Sequence, residues 1–210
     1  MTAPADPAPA DPGPAEAGPA RPGSGRPRWL RTLAETAVTI LAAGLVALLV
    51  RLFVFQTFWI PSTSMVPTLS VKDRILVQKA FFTWSGVHAG DIVVFSHPPR
   101  DHCPGPQQGD LVKRVIALPG QTIYSSGNHV YVNGRPLAES YLPPDDPLGL
   151  TIASARHPLR VPAGQFYMMG DNRAISCDSR YWGPITGASM VGQVRLVWWH
   201  DGRPDFHWVG

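Results

Sequence analysis

Apolar and polar positions divide the chain into three stretches. Up to about Arg28 the residues are Pro, Ala and Gly with scattered charges and no apolar period. Such a composition buries too little apolar surface to offset the entropy of ordering, so it predicts a disordered tail. From Ala37 to Val50 the chain reads AVTILAAGLVALLV without a charge, then Arg51 intrudes and LFVF follows. Fourteen apolar residues are short for a membrane span. Taken from Leu33 to Phe58 the stretch is long enough, provided Arg51 lies near an interface where its head can snorkel. At the bilayer centre an arginine would cost roughly 2.5–3.5 kcal/mol. Trp29 and Trp59 suit the two headgroup belts. Residues Arg51 to Trp59 are bulky, where a cleaved leader needs small ones, so the pattern favours an uncleaved anchor. Arg21, Arg26, Arg28 and Arg31 precede it, and the positive-inside bias puts that end in the cytoplasm and everything after Trp59 outside.

Beyond the apolar stretch the pattern changes to short β-branched runs between turns. Arg74 to Gln78, Asp91 to Phe95, Leu111 to Leu118, Phe166 to Met169 and Val191 to Trp199 are expected strands. Asn133-Gly134 predicts a type I′ hairpin turn. His97 to Asp110 and Pro143 to Pro162, rich in Pro or Gly, are expected loops. No amphipathic helix of normal length stands out after the apolar stretch. The expected fold is mainly β, an antiparallel sheet domain with one N-terminal transmembrane helix. Its expected division is a tail over 1–32, an anchor over 33–58 and an extracytoplasmic domain over 59–210.

Composition changes this picture little. Of 210 residues, 44% are apolar and 16% charged, enough for a real core. A net charge of +3 with no basic run argues against a nucleic-acid partner. Cys103 and Cys177 are too few for a disulfide framework but sufficient for one bridge. His97, His102 and Cys103 share a loop without tight ligand spacing, so neither metal nor cofactor is expected. His200 and His207 read as surface residues.

Three stretches carry candidate chemistry. Phe55 to Leu69 (FQTFWIPSTSMVPTL) places Ser62, Thr63 and Ser64 between two prolines, a backbone that is neither helix nor central strand. Lys113 sits among Val112, Val115 and Ile116, where desolvation would disfavour its ammonium and make it a proton acceptor near neutral pH. The alternative is a lysine at a sheet edge, discouraging aggregation. Gly170-Asp171-Asn172-Arg173, then Ser176, Asp178, Ser179 and Arg180, form a dense polar run, read equally well as an Asx-type turn.

Together these stretches resemble the type I signal peptidase family, the membrane-bound serine proteases that remove leader sequences from exported proteins. Ile60-Pro61-Ser62-Thr63-Ser64-Met65-Val66-Pro67-Thr68-Leu69 is similar to its nucleophile box, and Gly90 to Phe95 to its strand box. Lys113 to Gly120 is similar to its base box, and Gly170 to Pro184 to its last box. The resemblance implies Ser64 as nucleophile and Lys113 as general base in a dyad without histidine. It implies an oxyanion hole from the Ser62 hydroxyl and the Ser64 N–H, and Ser176 as the hydroxyl orienting the lysine amine. Asp178 with Arg180, and Asp171 with Arg173, match structural support. Phe58 to Ser62 and Asp110 to Val112 match the segments flanking an extended leader peptide, and such pairing explains small residues at alternate positions, an Ala-X-Ala pattern. Phe58, Ile60, Met65, Leu69, Val94, Asp110, Leu111 and Val112 are the expected substrate-binding set.

The sequence departs from that pattern after Arg173, where Ala174 and Ile175 replace the usual Asp and Asn and remove the nearest local partner of the arginine. Cys177 stands beside Ser176 in place of a small residue. If Ser176 meets Lys113, Cys103 and Cys177 come close, and an extracytoplasmic location permits a bridge. The implied partners are preproteins bearing signal peptides and the lipid bilayer, with the protein a monomer. Two other readings stay open: a Ser–Lys autoprotease of the repressor type, and a non-catalytic anchored β-domain that binds peptides.

Overall fold

The computed structural model describes residues 13, 28–50, 54–79, 82–99, 103, 109–144, 146–200 and 202–209. Most of the expected tail, the snorkelling Arg51, and His102 lie outside them.

Helix α1 spans Arg28–Leu49, rich in Ala and Leu, and is long and apolar enough to cross a membrane. Its threonine hydroxyls bond within the helix: Thr32 donates to Arg28 O, Thr36 to Thr32 O and Thr39 to Glu35 O. The helix expected over Leu33 to Phe58 therefore stops earlier. Phe55–Trp59 is instead strand β1, paired antiparallel with β2 (Arg74–Gln78) from Phe55↔Gln78 to Trp59↔Arg74. Two phenylalanines, a threonine and a tryptophan within five residues favour a pleated ladder once an edge is offered.

The remaining strands are β3 (Ile92–Ser96), β4 (Asp110–Ala117), β5 (Thr122–Ser126), β6 (His129–Val132), β7 (Arg135–Pro136), β8 (Leu159–Arg160), β9 (Gln165–Met169), β10 (Ile185–Thr186), β11 (Met190–His200) and β12 (Arg203–Trp208). Among the described residues after α1, the sole α-helix is the four-residue α2, Ser179–Trp182. The large sheet runs β1-β2-β11-β3-β4-β9-β10, with β12 on β11, and the small sheet runs β7-β6-β5-β8. All pairings within both sheets are antiparallel, as expected. At the β6–β7 turn Asn133 and Gly134 have φ of 52° and 76°, the left-handed pair a type I′ turn requires.

The apolar run of β3 has a physical reason: it is buried on both faces. Ile92 and Val94 join Ile60, Met65, Leu69, Ile75 and Val77 in one cluster, while Val93 and Phe95 join Val115, Met168 and Trp182 in another. A third cluster, with Ile116, Ile123, Val130, Tyr167 and Met169, underlies the small sheet. Strand β4 feeds the last two clusters because a register shift between Val115 and Ala117 turns its end. Flanked by β3 and β9, β4 is an interior strand that carries Lys113 into the middle of the domain.

Candidate active site

The serine-bearing loop joins β1 to β2. Its base is closed by Ile60 N donating to Asp73 O (2.9 Å) and Lys72 N to Ile60 O (2.8 Å). Turns follow within it, Val66 N to Thr63 O and Leu69 N to Met65 O, and the buried Met65 and Leu69 side chains pin it to the first cluster. Ser62 is exposed and Ser64 half-buried, with their hydroxyl oxygens 3.2 Å apart.

Lys113 is only 4% exposed, opposite Val93 on β3, and its Nζ lies 2.7 Å from Ser64 Oγ. The two residues are 49 positions apart in sequence. The sheet-edge alternative fails because β4 is interior. An amine and a hydroxyl held this way, both drawn back from water, can pass a proton from oxygen to nitrogen while the oxygen attacks an electrophile.

The polar run after β9 grips the loop from the other side. Asn172 N donates to Ser64 O (3.1 Å) and its Nδ2 to Thr63 O (3.3 Å). Ser176 is buried at 2% exposure, and its hydroxyl makes no hydrogen bond among the described residues. The expected bond from Ser176 to the lysine amine is thus not formed; the amine bonds Ser64 instead. Gly170 is the contact point: a Cβ there would lie 2.2 Å from Ser176 Oγ and 2.4 Å from Ser64 O.

Ion pairs brace this arrangement, partly in unexpected combinations. Asp178 and Arg180 pair as expected, Nε to Oδ1 and Nη2 to Oδ2 both at 2.8 Å. The same carboxylate accepts Gly170 N (3.0 Å) and caps α2 through Arg180 N (3.2 Å). Asp171 does not pair with Arg173. It receives a two-point clasp from Arg114, at 2.9 and 2.7 Å, whose guanidinium also donates to Gly90 O (2.7 Å) and Thr68 Oγ1 (3.3 Å). Arg173 instead bonds Glu139, Tyr141 Oη (3.1 Å) and Gly170 O (3.2 Å). Glu139 therefore supplies, from a distant segment, the carboxylate that Ala174 and Ile175 fail to provide. Burial works against the Arg173 guanidinium, but the hydrogen bond and charge of Glu139 outweigh it and hold its pKa above the ordinary value. Burial, then the Glu139 carboxylate, pushes the Tyr141 hydroxyl up, so it stays a donor to that carboxylate.

Cys103 and Cys177 are joined as a disulfide with Cα atoms 6.2 Å apart. It ties the segment preceding β4 to the turn that holds Ser176.

The expected substrate-binding set separates into groups. Ile60, Met65, Leu69 and Val94 are buried in the first cluster, with Phe58 and Val112 half-buried against it. These four offer little open surface. Leu111 packs on the second cluster, and Asp110 is exposed at the start of β4. Sequence reasoning placed Arg114, Gly170 and Asn172 within its motifs without giving them a role, and passed over Glu139 and Tyr141. Arg114 carried a signal, a second cation in an apolar strand that needs a buried partner. Glu139, 34 residues from Arg173, carried none.

The family described as "Signal peptidase, peptidase S26" matches residues 33–199. A signal peptidase I of Leptolyngbya laminosa is 38% identical over 81% of this chain and 82% of its own length. Signal peptidase I of Mycobacterium tuberculosis is 34% identical over 82% of this chain and 74% of its own. Signal peptidase I T of Bacillus subtilis is 33% identical over 79% and 82%. A match running from the apolar helix into the last long strand, supported by relatives across four-fifths of the chain, shows that this chain belongs to the signal peptidase family.

Proposed function

We propose that this protein is a membrane-anchored serine endopeptidase that removes signal peptides from exported preproteins by a Ser64–Lys113 dyad. The observation that carries the reading is the 2.7 Å approach of the buried Lys113 amine to Ser64 Oγ. Neutral Lys113 takes the proton as Ser64 attacks the scissile carbonyl, and the ammonium then supplies it to the leaving amine. The Ser62 hydroxyl, beside Ser64, and the Ser64 N–H stabilise the oxyanion, each such donor contributing roughly 2.7–4 kcal/mol. Ser176, a buried hydroxyl with unused bonding capacity beside the Ser64 carbonyl, receives the ammonium once it forms. Asp171, Arg173, Asp178 and Arg180 keep the loop and turn in register.

The substrate lies extended against Phe58 to Ser62 and Asp110 to Val112, which turns alternate residues toward the wall and selects Ala-X-Ala. No residue of α1 is buried within the protein, and its leucines and valines suit a lipid partner. The arginine-bearing N-terminus stays cytoplasmic, the catalytic domain extracytoplasmic and the protein monomeric. The chain then divides into a tail, an anchor carried by α1 from Arg28 and not from the expected residue 33, and the catalytic domain. The repressor-type reading draws no support from the relatives above, each named as a signal peptidase.

The test is cleavage of a preprotein by the detergent-solubilised protein, with the new N-terminus identified by mass. Changing either small residue of an Ala-X-Ala site to a bulky one should abolish the cut. Cleavage unchanged by both substitutions would remove the specificity assignment. Burial disfavours the charged amine, and only the neutral amine accepts a proton, so kcat should rise with pH as Lys113 deprotonates. A flat profile from about pH 5 to 9 would count against the lysine as base. Gly170→Ala would force Ser176 and the Ser64 carbonyl apart and should lower kcat about a hundredfold, the scale of a 1 Å misplacement. Wild-type kcat in that variant would show that the contact is slack.

A further inference from the structure

Besides the buried Met65 and Leu69 side chains and the Lys113–Ser64 bond, polar contacts hold the loop from Ile60 to Asp73 at three places. Asn172 grips it at Thr63 and Ser64, and Arg114 at Thr68. The third hold is its closing end, away from the dyad. There Asp73 N donates to Ser70 O (3.2 Å), and the fully buried Asp73 carboxylate accepts Ser70 N through Oδ2 (2.7 Å). The backbone carbonyl of the same residue accepts Ile60 N (2.9 Å), so Asp73 joins both ends of the loop.

Its second carboxylate oxygen, Oδ1, meets His200 Nδ1 at 2.8 Å. His200 is the last residue of β11, 127 positions further along the chain, and its side chain is 36% exposed. It is therefore not the simple surface residue expected from sequence. With the carboxylate oxygen as acceptor, the ring nitrogen Nδ1 is the donor of this bond. Without that donor, a buried carboxylate oxygen would have no partner. The carboxylate would then turn or draw in water, and either response pulls on Ser70 and the closing bonds.

We propose that His200 is a positioning residue for the cleavage reaction: by holding the Asp73 carboxylate that closes the loop, it sets where Ser62 and Ser64 stand. The inference rests on the reading of Ser64 as nucleophile. Its larger effect falls on turnover, because Ser64 stands on this loop, whereas the substrate-flanking segment reaches the loop only at Ile60 to Ser62. The wall formed by β1 is held separately, because Phe58 and Trp59 pair with Ile75 and Arg74 whatever the carboxylate does. Among the described residues, the charged and titratable groups beside His200 other than Asp73 are His207, 6.0 Å ring to ring and itself 3.3 Å from Asp205, Arg203 opposite it on β12, and Arg74 opposite Trp199 on β2.

The test uses the full chain in detergent and a fluorogenic Ala-X-Ala peptide. His200→Ala should lower kcat about tenfold, less than a full 1 Å misplacement costs. KM should stay within about twofold and the pH profile should keep its shape. His200→Asn places an amide N–H near the Nδ1 position and should recover kcat to within about threefold of wild type, whereas His200→Leu should behave as the alanine variant. If the alanine variant does not fold, the asparagine and leucine variants, compared below their melting temperatures, decide the matter. Wild-type kcat without the donor, an asparagine variant as slow as the leucine one, or a loss confined to KM would each overturn the proposal. Cleavage retained by Ser64→Ala would end the nucleophile reading instead, whatever the His200 variants do.

Discussion

Replacing Ser64 by Ala should reduce preprotein cleavage by at least about 10⁴-fold while the protein stays folded, and Lys113→Met should do nearly the same. The serine variant loses the attacking oxygen that stands 2.7 Å from the amine. The lysine variant keeps the methylene volume that packs beside Val93 but loses the proton acceptor, so its defect is chemical and not a cavity effect. The two residues act as a unit, so the double variant should be scarcely slower than either single one. Cleavage rates, with thermal melts of all three variants as a fold control, read the result. A lysine variant with full activity would sink the dyad and return the anchored peptide-binding domain as the better reading.

Arg114→Leu should destabilise the protein by about 3–5 kcal/mol, the usual cost of stranding one partner of a buried ion pair. Asp171 is buried and accepts two bonds from the Arg114 guanidinium, which also stacks 3.9 Å from the Tyr141 ring centre. Deleting the cation leaves the buried carboxylate without its two-point partner and frees Gly90 O and Thr68 from the same hold. For a chain of this size the loss corresponds to a fall in Tm of roughly 6–20 °C. The double variant Arg114→Leu/Asp171→Leu should recover part of that stability, because removing both charges ends the desolvation penalty. A single variant that melts within about 2 °C of wild type would show that the pair contributes little.

Much of the site was legible before the fold was known. The local setting marked three hydroxyls in a proline-bracketed loop and a lysine in an apolar strand, and the resemblance to the signal peptidase family then singled out Ser64 and Lys113. The strands around them were legible as well, since β-branched runs ending at Gly or Asn-Gly leave few alternatives; β2 matches its expected bounds residue for residue. The start of the domain was less legible. Phe55 to Trp59 continues the apolar run of the helix, and only the exposed edge of β2 makes it a strand.

Partnership among charges was the least legible of all. Asp171 and Arg173 lie two residues apart and invited pairing, yet the turn N-terminal to α2 points them to different partners, Arg114 and Glu139. His200 gave no sign of Asp73. The sequence by itself determined the reactive groups, the β character and the apolar segment, because composition, periodicity and local turn chemistry act over a few residues. The tertiary structure decided which carboxylate meets which cation, that Ser176 makes no hydrogen bond to the lysine, and that Lys113 comes within hydrogen-bond distance of Ser64. Those outcomes depend on strand order and register, which bring together residues tens of positions apart, and no local pattern encodes such distances.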